Sequence, residues 1–574
     1  MSCPWALASE TRAAFPHFTQ RDQLWNTKLV LSNLSLSVAQ FQLTFYSEEG
    51  ESVLVTTREL GGSATKILDI GADFPQLSID RGWVAVESTT VHFNGMMTFT
   101  YLPTGATTSL PLDKSEDRNL HLPLVRHGHQ IESGFALVNR SDRYAMVQFS
   151  LVDIQTNTRE IRVQVLPPHG KRVSMIETLF DKAPPASARM EVKCSQGVTG
   201  FGLSFLQDVQ QIVAIPALAF EPVDPKAELQ RDLETLLQQQ PGGISITLQH
   251  GEQLPVRFAA GLADMDTQEA YTPDHVGSIG STTKTMVATA FLQLVEQNKA
   301  LLDQPLSSVF PDYPKADQVT MRMLLNHTSG IPAYDGDTLI QDLLANPARV
   351  WNPEELLAYS LNLPYAFEPG QDFAYTNTNY LLLGMILERL TGDSLAQVLR
   401  NQIFTPLAMN QTYLRGFESP TTPHAQGYLF DPDNALGATP FINAHQMFHG
   451  SCTFGDAGVV TTTGDMVRFM TALVGGDLLS ENMMDEMVTP SPHSARYGLG
   501  IAYGLSSLPD EISLGHNGSF LWGNADLNYY PDEDLTLALQ YNLFGIGAAG
   551  QAQISETQES ALALARIASA NLKE

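Results

Sequence analysis

Ser281 and Lys284 stand three residues apart in Gly277-Ser278-Ile279-Gly280-Ser281-Thr282-Thr283-Lys284, ahead of an apolar run holding Met286, Ala290, Phe291, Leu294 and Val295. The apolar spacing predicts a helix opening near Ser281, with both side chains on one face and one turn apart. A serine hydroxyl is a weak nucleophile until a neighbouring base takes its proton. A lysine with a lowered pKa can do that, or can hold another base in place. The free N–H groups and dipole at the start of such a helix favour an oxyanion beside the serine. A second match, Ser63-Ala64-Thr65-Lys66, falls between predicted strands with no amphipathic helix behind it and reads as a coincidence of spacing.

Two further groups qualify as partners. Tyr375-Thr376-Asn377 is the only Tyr-x-Asn in the chain and precedes the apolar run Tyr380-Leu381-Leu382-Leu383-Gly384-Met385-Ile386. A tyrosine beside a lysine loses its proton more readily, and it can act first as general base and then as general acid. His516-Asn517-Gly518 follows Ile512-Ser513-Leu514, which reads as the end of a strand. A glycine there lets a substrate approach the backbone closely.

Together, Ser281-x-x-Lys284, Tyr375-x-Asn377 and His516-x-Gly518 resemble the serine β-lactamase and penicillin-binding-protein superfamily. The class C-like branch, with its D,D-peptidases, D-aminopeptidases and family VIII carboxylesterases, is the most similar part of it. Met323-Leu324-Leu325-Asn326-His327-Thr328-Ser329-Gly330, Phe367-Glu368-Pro369-Gly370 and Tyr530-Pro531-Asp532-Glu533-Asp534-Leu535 fit the same pattern. The resemblance implies an antiparallel sheet flanked by helices, a helical lobe, and a site between them. It implies that Ser281 is acylated, that Lys284 and Tyr375 share the proton traffic, and that Asn377 positions the lysine and substrate. The N–H groups of Ser281 and Ser519 would form the oxyanion hole, with His516 and Gly518 along the substrate strand. No metal or cofactor is implied.

Lysine usually stands where this chain has His516, and an unperturbed histidine is mostly neutral at pH 7, so a β-lactam carboxylate should be held weakly. His at this position resembles the D,D-peptidases, D-aminopeptidases and esterase-like members; since ester cleavage needs no protonation of a poor amine leaving group, the favoured expectation is a carboxylesterase for small to medium acyl esters. The alternative is a D-amino-acid-specific peptidase or amidase, and a non-catalytic binding or scaffold protein is a weaker third.

The elements that must position these residues follow from patterning. Between Phe15 and Ala219, short alternating runs such as Phe41-Gln42-Leu43-Thr44-Phe45 read as strands. The pattern recurs after roughly 105 residues: Leu29 to Asn33 return as Phe135 to Asn139, Phe41, Leu43 and Phe45 as Val147, Phe149 and Leu151, and Gly95 as Gly200. The fold class expected is therefore multidomain. An extension (1–14) precedes tandem all-β sandwiches (15–112 and 113–220) and a proline-stiffened linker (221–226). An α+β β-lactamase-like domain (227–574) completes it, with a sheet drawn from its two ends, a late run of strands from Ile512, and a last helix from about Glu556 to Leu572.

Composition sets outer bounds. Of 574 residues, 43% are hydrophobic and 17% charged, an ordinary globular balance. A formal net charge of −29 repels nucleic acid and anionic membranes. The expected partner is a small ester or D-peptide, with a homo-oligomer or surface ligand left to the β repeats. Cys3, Cys194 and Cys452 show no metal-ligand spacing. Ala6-Leu7-Ala8 resembles a cleavage site without a complete signal peptide, which favours a periplasmic or secreted location over the cytoplasm.

Overall fold

The computed structural model describes residues 11–20, 24–122, 131–185, 187–206, 211–220, 222, 224–238, 241–419, 422–436, 440–504, 508 and 511–572. Cys3 and Ala6-Leu7-Ala8 lie outside them. Two compact units form, Met1–Thr235 with Ala563–Glu574, and Leu236–Leu562. Both divisions fall inside helices, Pro225–Leu237 and Gly547–Leu572.

The first unit is all-β with a repeated element order. Trp25–Asn33, Ala39–Tyr46, Ser52–Leu60, Thr65–Asp69 and the one-turn helix Ile70–Asp73 recur as Ile131–Asn139, Ala145–Asp153, Thr158–Leu166, Lys171–Met175 and the helix Ile176–Phe180. Alternation sets the faces: Phe41, Leu43 and Phe45 are buried in one core, Val147, Phe149 and Leu151 in the other. Asn33 Nδ2 donates to the carbonyls of Ser37, Leu60 and Gly61, and Asn139 Nδ2 to those of Arg143, Leu166 and Pro167. A Cβ on Gly95 would stand 2.6 Å from Val30 O, and one on Gly200 the same 2.6 Å from Ala136 O.

The repeats differ in how their sheets close. Arg81–Ser88 and Phe93–Tyr101 serve two separate four-stranded sheets in the first. The second has one 19-residue strand in their place, Ala188–Leu206, whose halves pair with Ala145–Asp153 and Ile131–Asn139. That shared strand joins the second repeat into one eight-stranded sheet.

In the second unit a seven-stranded antiparallel sheet stands beside helices. Gly243–His250 pairs with Val256–Asp264 as a hairpin and on its other side with Leu535–Tyr541, so early and late strands share one sheet. Gly523–Tyr530 and Leu514–Phe520 follow outward. The strand Leu514–Phe520 holds His516-Asn517-Gly518 within it rather than after it. The final helix runs Gly547–Leu572, about two and a half turns longer at its start than its apolar spacing predicts. Thr283–Glu296 and Asn377–Thr391 are buried along nearly their whole length in the unit's core.

Among the described residues no helix is long and apolar enough to cross a membrane. No group of three or more His, Cys, Asp or Glu among them could hold a metal ion. Cys194 and Cys452 are buried free thiols.

Candidate active site

Ser281 sits not on the helix proper but in the 3-10 turn Gly280–Thr282 that feeds Thr283–Glu296. Gly280 has φ +48°, the left-handed conformation that glycine tolerates best. The turn is bound to its surroundings by threonines. Thr282 Oγ1 donates to His516 O (3.2 Å), Thr283 Oγ1 accepts from Val459 N (3.1 Å), and Thr285 Oγ1 donates to Gly500 O (2.8 Å).

Lys284 is 0% exposed, and its Nζ lies 2.9 Å from Ser281 Oγ, 2.7 Å from Asn377 Oδ1 and 2.8 Å from Asp456 O. The last two oxygens can only accept. Two N–H bonds are therefore committed to them, which aims the third position of the nitrogen at the serine. Asn377 is held in turn, its Nδ2 donating to Asp335 Oδ2 at 2.7 Å. The Asp456 carboxylate accepts from Tyr334 Oη (2.9 Å) and Phe454 N (3.0 Å). Burial raises the Asp456 carboxyl against the pull of Lys284, and burial with Asp456 and Asp335 holds the Tyr334 hydroxyl protonated.

Tyr375 is 43% exposed, with its ring centroid 5.0 Å from Lys284 Nζ. Its ring rests on that of His327 (4.3 Å) and lies 6.1 Å from that of His516. Among the described residues its hydroxyl makes no hydrogen bond to Ser281 or Lys284. The structure thus gathers Ser281, Lys284 and Asn377 in direct contact and sets Tyr375 over them at the cleft surface.

The strand Leu514–Phe520 closes the other side. A Cβ on Gly518 would stand 1.8 Å from Ile279 O and 3.0 Å from Ser281 N, and one on Gly280 would stand 2.8 Å from Ser519 N. Two glycines therefore allow the N–H groups of Ser281 and Ser519 to share one small region. His516 is 3% exposed; its Nδ1 donates to Asn517 O (2.5 Å), so Nε2 accepts from Tyr497 Oη (3.0 Å). Burial, with Lys284 nearby, pushes the imidazole down to about 3, so it is neutral at pH 7.

Sequence reasoning missed Asp456, Tyr334, Asp335 and Tyr497, and it quoted His327 without a role. His327 is fully buried at φ +61°, and its Nδ1 accepts from Thr376 N and Asn379 Nδ2, both at 3.2 Å. It thereby fixes the backbone that carries Tyr375 and Asn377. The chance Ser63 match is exposed in a turn at φ +60° with Lys66 in an exposed strand position.

The Beta-lactamase family model matches residues 226–559, more than half of the chain. The chain belongs to the β-lactamase family. This member is 27% identical over 311 residues to a D-aminopeptidase of Brucella anthropi, covering 53% of this chain and 56% of that protein. It is 26% identical over 335 residues to a penicillin-binding protein of Bacillus subtilis, covering 54% and 70%. The D-amino acid amidase from Ochrobactrum anthropi SV3, solved with L-phenylalanine amide, superposes with a TM-score of 0.54 at 26% identity, over 60% of this chain and 99% of that one. The chain spans 61%, 70% and 56% of the lengths of three curated relatives. This β-lactamase family member has the fold of a serine hydrolase family, and most of its N-terminal all-β unit lies outside the match.

Proposed function

We propose that the chain is a D-amino-acid amidase or aminopeptidase working through an acyl-enzyme on Ser281. The observation that carries this reading is the similarity to a D-amino acid amidase over 99% of its length, alongside a D-aminopeptidase relative. Both are named for amide or peptide cleavage, which favours this reading over the carboxylesterase expectation. The neutral His516 also supports it, since a site with no cation there is poorly suited to a β-lactam carboxylate.

In the proposed cycle Lys284 Nζ accepts the Ser281 proton as Oγ attacks the carbonyl carbon, its two other bonds to Asn377 and Asp456 keeping it aimed. The N–H groups of Ser281 and Ser519 hold the oxyanion, typically worth about 3 to 4 kcal/mol for one such donor. The Tyr375 hydroxyl protonates the departing amine and recovers its proton through Lys284. Water then attacks the acyl carbon and restores the serine.

D-Alaninamide, L-alaninamide and p-nitrophenyl butyrate, assayed side by side, test the reading. D-Alaninamide turnover should exceed that of the L enantiomer by at least about tenfold in kcat/KM. Ester cleavage without amide turnover would overturn it. Tyr375→Phe should cost about a hundredfold on the amide, the usual scale for a lost proton donor. A smaller loss on the ester is expected, because its leaving group departs without protonation. Equal losses on both substrates would remove Tyr375 from the leaving-group step.

A further inference from the structure

Inside the all-β unit, between its two repeats, lies a cavity of about 440 Å³, within the size range of pockets that hold small organic ligands. Aromatic rings line most of it: Trp25 and Phe99 from the first repeat, Phe135 and Phe205 from the second. Trp25 and Phe99 stand on the paired strands Trp25–Asn33 and Phe93–Tyr101, and Phe135 and Phe205 on the paired strands Ile131–Asn139 and Ala188–Leu206. The polar lining is His17, Thr19, Arg81 and Ser174, and among the described residues no carboxylate joins it.

Behind His17 stands Lys171, whose side chain is fully buried. An ammonium can only donate, and Lys171 Nζ gives hydrogen bonds to His17 Nδ1 (2.6 Å) and Gly82 O (2.9 Å). With Nδ1 accepting, the imidazole carries its hydrogen on Nε2. Burial, with Lys171 and Arg81 nearby, holds this histidine well below its ordinary pKa, so it is a neutral donor to the cavity it lines. Glu48 lies 2.9 Å from the half-exposed Arg81 but 3.7 Å from Lys171. Among the described residues, one carboxylate therefore serves two cations. Burial pushes Lys171 down to about 7, the behaviour of a cation short of counter-charge. An anion in the cavity would supply that charge against Arg81 and, through the imidazole, against Lys171.

We propose that this cavity binds a small organic carboxylate with an aromatic body, the carboxylate held by Arg81 and His17 Nε2–H and the body packed among Trp25, Phe99, Phe135 and Phe205. A charge-assisted bond from a guanidinium is roughly twice as strong as one between neutral groups, which makes the site selective for the acid over its amide. An amine would meet two like charges instead. Binding there is independent of the reaction at Ser281.

4-Phenylbutyrate, 4-phenylbutanamide and 4-phenylbutylamine share one body and differ in charge, and titration calorimetry on the full chain compares them. The acid should bind with a Kd below about 1 mM, the amide about tenfold or more weaker, and the amine more weakly still. Arg81→Gln should weaken the acid by about tenfold and leave the amide unchanged. Trp25 reports the location: the acid should alter the protein's tryptophan fluorescence, and Trp25→Phe should abolish that change while the heat of binding persists. Trp25→Phe keeps an aromatic ring in place, so it keeps the test alive should Arg81→Gln fail to fold. No binding of the acid, equal affinity for acid and amide, an acid affinity untouched by Arg81→Gln, or a fluorescence change that survives Trp25→Phe would each overturn the site.

Discussion

Lys284→Ala is expected to lower kcat/KM on D-alaninamide by at least about ten-thousandfold, as is Ser281→Ala, because nucleophile and base act as a unit. The geometry explains why no neighbour substitutes. Lys284 Nζ is the one nitrogen that touches Ser281 Oγ, Asn377 Oδ1 and the Asp456 carbonyl together. Its removal orphans two buried acceptors and frees Asn377 to turn. Some loss of stability should follow, of about 1 to 3 kcal/mol for a buried group left unpaired. Circular dichroism melting alongside the assay separates that loss from the chemistry, and Ser63→Ala is the control that should alter neither. A Lys284→Ala protein that is folded and retains more than a few per cent of activity would falsify the assignment.

Gly518→Ala is expected to damage stability and turnover together, though it removes no functional group. The added methyl would stand 1.8 Å from Ile279 O, a backbone atom with no side chain to swing aside. Either the strand or the 3-10 turn must withdraw. Overpacking costs typically reach about 3 kcal/mol, which in a domain this large should lower Tm by roughly 4 °C. The same withdrawal separates the Ser281 and Ser519 N–H groups proposed to hold the oxyanion, so a further loss of about a hundredfold in kcat is expected. Gly61→Ala, where a Cβ meets nothing within 4 Å, is the matched control. Near-normal melting and kinetics for Gly518→Ala would show that the close approach is not needed for catalysis.

Residues whose role depends on local spacing were the ones legible in the sequence. Ser281 and Lys284 sit one turn apart, Tyr375 and Asn377 enter one helix, and each pair is recognisable without knowing the fold. The β repeats were legible for the same reason, since alternation and the Asn33 and Asn139 turns are local. Asp456, Tyr334 and Tyr497 were not. They reach the site from 172, 50 and 216 residues beyond Ser281 or Lys284 through loops whose common residue types advertise nothing. His516 was placed after a strand because the run Ile512-Ser513-Leu514 reads as a strand end. Here a glycine continues the strand, since the neighbouring turn presses against its bare face. The division of the second repeat's long strand was equally invisible, because one extended run and two consecutive ones share the same alternation.

The pairing of Gly243–His250 with Leu535–Tyr541 has a consequence for synthesis on the ribosome. Thr282 and the His516 carbonyl it bonds are 234 residues apart, a gap that takes roughly ten to fifty seconds to translate. Throughout that interval the nascent chain already carries its serine and lysine but has neither the strand that backs them nor the partner that closes the sheet. The strands of the β repeats pair only with one another, all of them made before Ser281, and can fold meanwhile. The candidate site is thus completed late in synthesis, and a polypeptide released before Leu514 is made carries Ser281 and Lys284 without the strand that backs them.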